Sequence, residues 1–416
     1  MDENGDFKST LQSDVAALLN LYEAAHLGKC DEKILSKAIM FTTDRLSSTM
    51  MDGHLPKPIL ERVEHALSSP TQRRMKRLEA RLYMLIYEND EENNQDILEL
   101  AKLDFCILQQ MHRDEVQRIS LWYKNLNPGN TLGGYIRDRP VECYFWALCI
   151  FYEPHYAKAR MMFARLIKLF SIFDDTYDSY GTIDELVLFN RAIQSWDLEG
   201  AKQIGKCYAY VMSHLSNTFD ELMAETGASP FGIECTKKTI KEGSNCMLQE
   251  VVWREQGQVP ALQDYLKVSA KTTMYWSLAS ISFFGMDASD DVFTWTLTYP
   301  KIIESASIAC RLMDDISGNE CEKERSNCAT AVDCYVREHG VTVQQAKKAL
   351  SNLVEEQWKI INHEFLSNDR IPAPLLTCVI NLVRLMETAY KHVDGYTHSE
   401  GIADPIHKLL NECVLH

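Results

Sequence analysis

An all-α fold is predicted by two features of this 416-residue sequence. Apolar residues recur with helical spacing along most of the chain. No segment of alternating polarity is bounded by the Asn-Gly or Asp-Gly turns that indicate a β-hairpin, and no internal repeat of fixed period is present. Because 46% of the residues are hydrophobic, the chain can bury a large core. We therefore expect a globular helical protein.

The first helix is predicted over residues 13–28. Ser13 or Asp14 is a suitable N-terminal cap, apolar side chains follow at i, i+3, i+4 and i+7, and Gly28 is a typical stop. The same kind of pattern predicts three more helices, over residues 31–46, 59–67 and 73–87.

A polar run at residues 89–95 interrupts the helical spacing and is the best candidate for a domain boundary. Residues 1–93 are therefore predicted to form one helical domain and residues 94–416 a second. The helices predicted in the second domain are longer and more apolar, which indicates a larger core.

Composition and charge exclude several classes of protein. The chain carries 59 Asp and Glu against 43 Lys and Arg, so binding to nucleic acid or to an anionic membrane surface is disfavoured. Its 13 cysteines are odd in number and scattered, which is typical of free thiols in a reducing compartment. The acidic N-terminus is unlike a signal or transit peptide, and no apolar run is long enough to span a membrane. We expect a cytosolic protein.

A first acidic motif is predicted at the end of a buried helix. Residues 161–173 are apolar nearly all the way round, and D-D-T-Y-D follows directly at residues 174–178. Asp174 and Asp178 lie one helical turn apart on one face, whereas Asp175 points about 100° away. Since like charges at a helix C-terminus repel, a cation such as Mg²⁺ would stabilise the pair. A solvated acidic turn is the alternative interpretation.

A second acidic helix is predicted to begin at Pro300. It carries Arg311 and Asp314, and Gly318 and Glu322 follow one and two turns after Asp314, so all four positions share one face. The alternative is a simple i, i+3 salt bridge between Arg311 and Asp314.

Common catalytic signatures are absent from the sequence: G-x-S-x-G, H-E-x-x-H and G-x-G-x-x-G do not occur. Instead, Arg137 and Arg139 precede Pro140 in the sequence R-D-R-P. Two guanidinium groups beside a proline-fixed turn are suited to binding diphosphate oxygens.

These motifs follow one another in an order that resembles the plant class I terpene synthases. The likeness covers essentially the whole chain and is strongest to the cytosolic sesquiterpene synthases. It implies a class I terpenoid synthase α-helical bundle, preceded by a partial N-terminal domain of the α-barrel type. The motifs that carry it are R-D-R at 137–139, V-E-C-Y-F-W at 141–146, D-D-T-Y-D at 174–178 with Y-G-T at 180–182, R-L-M-D-D at 311–315 and D-G-Y-T-H at 394–398.

The resemblance also implies a set of site residues and a cofactor. Three Mg²⁺ ions are expected, with Mn²⁺ as an alternative. Gly318 stands where the family commonly has Ser or Thr, so we expect weaker metal binding with a water in place of the hydroxyl. The implied metal ligands are Asp174, Asp178, Asp314 and Glu322; the implied diphosphate-binding residues are Arg137, Arg139 and Arg311; the implied pocket residues are Trp146, Tyr390, Asp394 and Tyr396.

The implied activity is the metal-dependent ionisation of farnesyl diphosphate and cyclisation of the cation to a hydrocarbon or alcohol, with release of diphosphate. Asp394, Tyr396 or the released diphosphate would take the final proton. Tyr275 and Trp276 are interpreted as core residues, because adjacent side chains do not both face one cavity. Residues 317–327 are expected to order over the bound diphosphate.

Several alternatives stay open. The chain resembles only the latter part of the family's N-terminal domain, so we expect a truncated form, and a catalytically impaired homologue that binds prenyl diphosphate is one alternative. A monoterpene synthase that uses geranyl diphosphate is another. The irregular second acidic motif disfavours a chain-elongating prenyltransferase. A monomer is expected.

Overall fold

The computed structural model describes residues 7, 8, 10, 11, 14–90, 92–325 and 328–414, with the backbone alone for residues 320–325. This part of the chain contains α-helices and no β-strand, so the all-α prediction is confirmed. The helices are α1 Val15–Ala25, α2 Lys33–Met51, α3 Lys57–Ser68, α4 Lys76–Glu88, α5 Gln95–Leu126, α6 Pro128–Leu132, α7 Pro140–Ile150, α8 Ala157–Asp175, α9 Ile183–Ser195, α10 Leu198–Ile204, α11 Lys206–Thr226, α12 Pro230–Glu255, α13 Leu262–Thr272, α14 Tyr275–Ser282, α15 Asp290–Leu297, α16 Lys301–Arg325, α17 Ala331–His339, α18 Val343–Ser367, α19 Ala373–Ala389 and α20 Glu400–Leu410.

The local capping chemistry explains where the first helices begin and end. Asp14 caps α1, since its carboxylate accepts a hydrogen bond of 2.9 Å from the backbone N–H of Ala17. α2 corresponds to the helix predicted over residues 31–46. It continues to Met51, because no helix breaker occurs before Gly53. α5 begins after Asn94, whose side-chain oxygen accepts from the backbone N–H groups of Asp96 and Ile97.

Two hydrophobic cores lie in the described residues. A small core joins α1, α2 and α3, whereas α4 and the later helices share a much larger one. Polar contacts connect the two parts: Arg73 forms a bidentate pair with Glu355 at 2.6 and 2.7 Å, and Asn362 donates to the carbonyl oxygens of His26 and Gly28 at 3.0 and 3.1 Å. The division after residue 93 stays a prediction.

α8 lies in the centre of the larger part. Nearly all of its side chains are buried, as its apolar sequence indicated, and it packs against α7, α11 and α14. Helices α12, α13, α16 and α19 complete a ring of helices around one cavity. The last turn of α8 therefore faces this cavity rather than the outer surface of the protein.

A buried ion pair fixes α5 against α8 outside this cavity. Arg160 is fully buried and forms two hydrogen bonds of 2.7 Å with Glu115, which is 1% exposed. The hydroxyl of Tyr144 on α7 donates to the same carboxylate at 2.8 Å. Three helices thus meet at one satisfied charge pair.

We expect Glu115→Gln to lower the stability of the protein by about 3–5 kcal/mol, because it leaves Arg160 buried without its counter-charge. Thermal unfolding of the variant measures the effect. Glu199→Gln is the matched control: its pair with Lys202 is largely exposed and contributes at most about 1 kcal/mol. An unchanged melting temperature for Glu115→Gln would show that the buried pair is not a stabilising contact.

Candidate active site

One large cavity opens between the central helices, with about 1310 Å³ of empty space when its open mouth is included. On α8 the cavity-facing side chains follow helical spacing, from Ile167 through Phe170 and Ser171 to Asp174. Seven residues of helix place Ile167 about 10 Å from Asp174 along the axis. The cavity is therefore apolar in its depth and acidic at the end of α8.

The first acidic motif adopts a geometry that the sequence pattern did not predict. α8 ends at Asp175, and residues Thr176–Tyr180 form a single π-helical turn. Asp174 and Asp178 nevertheless both line the cavity, whereas Asp175 is fully buried. Arg254 donates to the carbonyl oxygen of Asp178 at 2.9 Å and so supports the widened turn.

Arg137 joins the R-D-R sequence to this motif. Its Nη2 lies 2.8 Å from Asp174 Oδ2 and its Nε lies 2.8 Å from Asp175 Oδ1. Its backbone N–H donates to the other oxygen of Asp175 at 2.8 Å, and Lys168 donates to its carbonyl oxygen. The guanidinium also lies 4.9 Å from the ring centre of Tyr396. Arg137 is thus held at the cavity from several sides.

Two carboxyl groups at the cavity are energetically unfavourable as anions. Burial raises the pKa of Asp174, and neighbouring Asp175 adds to the rise although Arg137 opposes it. Burial likewise raises the pKa of Glu250 on α12 to about 7. Thr272 donates to Glu250 at 3.1 Å. A bound cation would relieve the electrostatic cost at both groups.

Glu250 is a site residue that sequence reasoning missed. It is one of four glutamates on α12 and belongs to no recognisable motif. The only available signal was its position three residues after the buried Met247, which places it near the buried face of α12.

The second acidic motif lies on α16 and lines the same cavity with Arg311 and Asp314. Arg311 Nη1 lies 3.1 Å from Asp314 Oδ2 and 3.3 Å from Asp315 Oδ1, so the salt bridge considered as an alternative is present. It does not exclude a functional role, because its members face the cavity. Thr272 accepts from Arg311 Nη2 at 3.1 Å.

The later positions of the second motif are described only in part. Gly318 is buried on α16, and the adjacent Ser317 hydroxyl donates to the carbonyl oxygens of Met313 and Asp314 at 3.0 and 3.1 Å. The predicted ligand Glu322 lies outside the residues whose side chains are described. Of the segment expected to cover the diphosphate, residues 317–325 continue α16 as helix, and residues 326 and 327 lie outside the description.

We expect Gly318→Ser to lower the Mg²⁺ concentration for half-maximal activity about threefold to tenfold, as expected for one added oxygen contact of ~1 kcal/mol. A magnesium titration of the rate measures this. Ser317→Ala is the matched control and should change nothing, because that hydroxyl is bound to backbone carbonyls. A raised magnesium requirement in Ser317→Ala would instead identify Ser317 as the oxygen donor.

The structure does not bring Arg139 into the cavity lining. Its guanidinium donates to the carbonyl oxygens of Tyr396 and Thr397 at 3.1 and 2.9 Å. Asp394 accepts from the backbone N–H groups of the same two residues at 3.0 and 2.9 Å. Both charged side chains therefore shape the loop at residues 394–397, and Asp394 also reaches the lining.

Aromatic side chains form much of the wall. Trp146, Tyr390 and Tyr396 line the cavity as predicted, with the rings of Trp146 and Tyr396 edge to face at 5.5 Å. The interpretation of Tyr275 as a core residue is corrected: it faces the cavity while its hydroxyl donates to the carbonyl of Leu382 at 3.0 Å. Trp276 points away and donates to a backbone carbonyl at 2.8 Å.

The oxygen donors at the mouth fit a hard cation that is shared with a phosphate. Among the residues with described side chains, no group of three or more His, Cys, Asp and Glu could hold a metal ion alone. Mg²⁺ typically takes one or two carboxylates and completes its shell with water and phosphate oxygens. Asp174 with Asp178, and Asp314 from the other helix, match that pattern.

A helical bundle with a large cavity that carries two acidic motifs, each beside an arginine, defines the class I terpenoid synthases. Comparison with known proteins agrees. Residues 124–360 match the terpene synthase family, metal binding domain, and residues 1–67 match the terpene synthase N-terminal domain. The chain belongs to the terpene synthase family, and its named relatives are lyases that act on prenyl diphosphates.

Individual relatives and structures are similar over nearly the whole chain. A (−)-germacrene D synthase of Vitis vinifera is 39% identical over 403 residues, which are 95% of this chain and 72% of the relative. A sesquiterpene synthase of Cananga odorata is 38% identical over 408 residues, 96% of this chain and 72% of the relative. Isoprene synthase from grey poplar, in complex with three Mg²⁺ ions and dimethylallyl-S-thiolodiphosphate, superposes with a TM-score of 0.89 at 28% identity, covering all of this chain and 80% of its own.

No helix in the described part of the chain combines the length and the apolar character that crossing a membrane requires.

Proposed function

We propose that this protein is a sesquiterpene synthase that ionises farnesyl diphosphate and cyclises the resulting cation, releasing diphosphate. The observation that carries the proposal is the convergence of Asp174, Asp178 and Asp314, with Arg137 and Arg311, at the acidic end of one aromatic cavity. Relatives at about 38% identity are sesquiterpene synthases, which supports farnesyl diphosphate as the substrate.

The charged end binds the diphosphate. Arg137 and Arg311 provide planar donors of permanent positive charge at the place where the leaving group gains negative charge. Asp174, Asp178, Asp314 and, by resemblance, Glu322 would hold Mg²⁺, with Mn²⁺ as a substitute. When bound, the metal supplies Lewis-acid stabilisation of the departing diphosphate.

The apolar part holds the hydrocarbon chain and excludes water. Trp146, Tyr275 and Tyr396 present aromatic faces, which stabilise a cation by about 2 kcal/mol each when desolvated and offer no nucleophile. Asp394, Tyr396 or the released diphosphate is proposed to take the final proton, and Tyr390 is proposed to contact the substrate. Arg139 is proposed to act indirectly, because it holds the loop at residues 394–397 in place.

Purified protein incubated with equal amounts of farnesyl and geranyl diphosphate and Mg²⁺, followed by gas chromatography and mass spectrometry, tests the proposal. We expect a 15-carbon cyclic product to dominate and its formation to stop when the metal is chelated. A dominant 10-carbon product would replace the proposal with a monoterpene synthase. Diphosphate binding without any volatile product would identify a silent homologue, and chain elongation on added isopentenyl diphosphate would identify a prenyltransferase.

A cytosolic location and a monomeric state stay predictions of the sequence, as does the division into domains at residue 93.

A further inference from the structure

The two acidic motifs share an arrangement that their sequence spacing does not reveal. In each, two consecutive aspartates contact one arginine. Arg137 lies between Asp174 and Asp175, at 2.8 Å from each, and Arg311 is within 3.3 Å of both Asp314 and Asp315. Each arginine therefore has one outer and one inner carboxylate partner.

The outer and inner carboxylates differ in exposure. The side chains of the outer residues, Asp174 and Asp314, are 33% and 26% exposed. The inner residues, Asp175 and Asp315, are 0% and 1% exposed. An outer carboxylate can exchange its arginine for another cation, whereas an inner one is enclosed by protein.

Further hydrogen bonds anchor the inner carboxylates. Asp175 Oδ2 also accepts the backbone N–H of Arg137 at 2.8 Å. Asp315 Oδ2 accepts the hydroxyl of Tyr265 at 2.8 Å and the backbone N–H of Ala331 at 2.6 Å. The inner carboxylates are therefore fixed points on the protein.

The atoms used by Arg137 separate the two contacts. Its Nε bonds to Asp175, while Nη2, farther out on the guanidinium, bonds to Asp174. Loss of the outer contact would release Nη2 toward the cavity and leave the Nε contact in place. The fork geometry of arginine permits this division, because its donors are rigidly spaced.

We propose that Asp175 is a positioning residue: it holds Arg137 by Nε when Asp174 turns to a metal ion, so that the outer guanidinium edge is aimed at the diphosphate. Asp315 holds Arg311 in the same way but through Nη1, the nitrogen that also contacts Asp314. This inference rests on the proposed function and deepens it. It explains why each motif carries a second aspartate that is buried.

Binding of inorganic diphosphate in the presence of Mg²⁺, measured by calorimetry, tests the role of Asp175. We expect Asp175→Asn to weaken diphosphate binding about 10- to 100-fold, the usual effect of removing a group that orients a ligand-binding side chain. Binding of Mn²⁺ without diphosphate, measured by electron paramagnetic resonance, should be unchanged. Weakened Mn²⁺ binding in this assay would make Asp175 a metal ligand and overturn the inference.

A double-variant comparison separates positioning from general loss of structure. In an Arg137→Gln background, Asp175→Asn should cause no further loss of diphosphate affinity, because the side chain to be positioned is gone. A second full loss in that background would contradict the inference. Glu115→Gln is the matched control: it disrupts a buried arginine–carboxylate pair outside the cavity and should lower the melting temperature without changing diphosphate affinity.

Asp315→Asn tests the same role independently if Asp175→Asn does not fold. We again expect diphosphate binding to weaken about 10- to 100-fold. Full diphosphate affinity in a folded inner-aspartate variant would overturn the inference while the wild-type protein still binds diphosphate. If the wild-type protein itself does not bind diphosphate, the proposed function fails and the inference fails with it.

Discussion

Asp174→Ala is expected to reduce turnover of farnesyl diphosphate by at least about 10³-fold, because the metal that it would hold contributes several kcal/mol of transition-state stabilisation. The fold should survive the change. Arg137 keeps Asp175 as its counter-charge when Asp174 is removed, so no buried guanidinium is left unpaired. Product formation by gas chromatography and the melting temperature measure the two effects separately.

Asp184→Ala is the matched control for this variant. Asp184 lies ten positions after Asp174 and is exposed in the first turn of α9, outside the cavity lining. It should retain full activity. Undiminished turnover in Asp174→Ala would mean that the first metal site is misassigned.

Arg311→Gln is expected to lower kcat by about 10²- to 10³-fold, the usual effect of removing one preorganised donor at a site of developing negative charge. The guanidinium is held by Ser269, Asp315 and Thr272 even without Asp314, so its charge needs no reorganisation during ionisation. Steady-state kinetics with farnesyl diphosphate measures kcat and KM for each variant.

Arg311→Lys separates charge from geometry at the same position. It keeps the positive charge but loses the planar fork, whose Nε and Nη2 bond Ser269 and Thr272, so an intermediate kcat is expected. Equal activity of Arg311→Lys and the wild type would show that only the charge matters. A normal kcat in Arg311→Gln would remove Arg311 from the ionisation step.

Much of the fold and of the site could be predicted because the signals are local. Helical spacing identified α1 and α8, and the D-D-x-x-D spacing identified Asp174 and Asp178. Such patterns depend on residues within a few turns of each other. The structure therefore agrees with the sequence on which helices form and on which of these side chains line the cavity.

Features that depend on contacts between distant segments could not be predicted. Glu250 reaches the cavity because α12 packs beside α13, and nothing in its neighbourhood distinguishes it from a surface acid. Arg139 bonds the backbone of the loop at residues 394–397, whereas Arg137 bonds Asp174 and Asp175. The π-helical turn at Thr176–Tyr180 depends in part on Arg254, 76 residues away.

Diffraction from crystals grown with Mn²⁺ and inorganic diphosphate tests the central claim most directly, since anomalous scattering locates each ion. We predict Mn²⁺ bound between Asp174, Asp178 and the diphosphate on one side of the cavity, and a further ion beside Asp314 on the other. Diphosphate bound without ions between it and these carboxylates, or ions found only outside the cavity, would contradict the assignment.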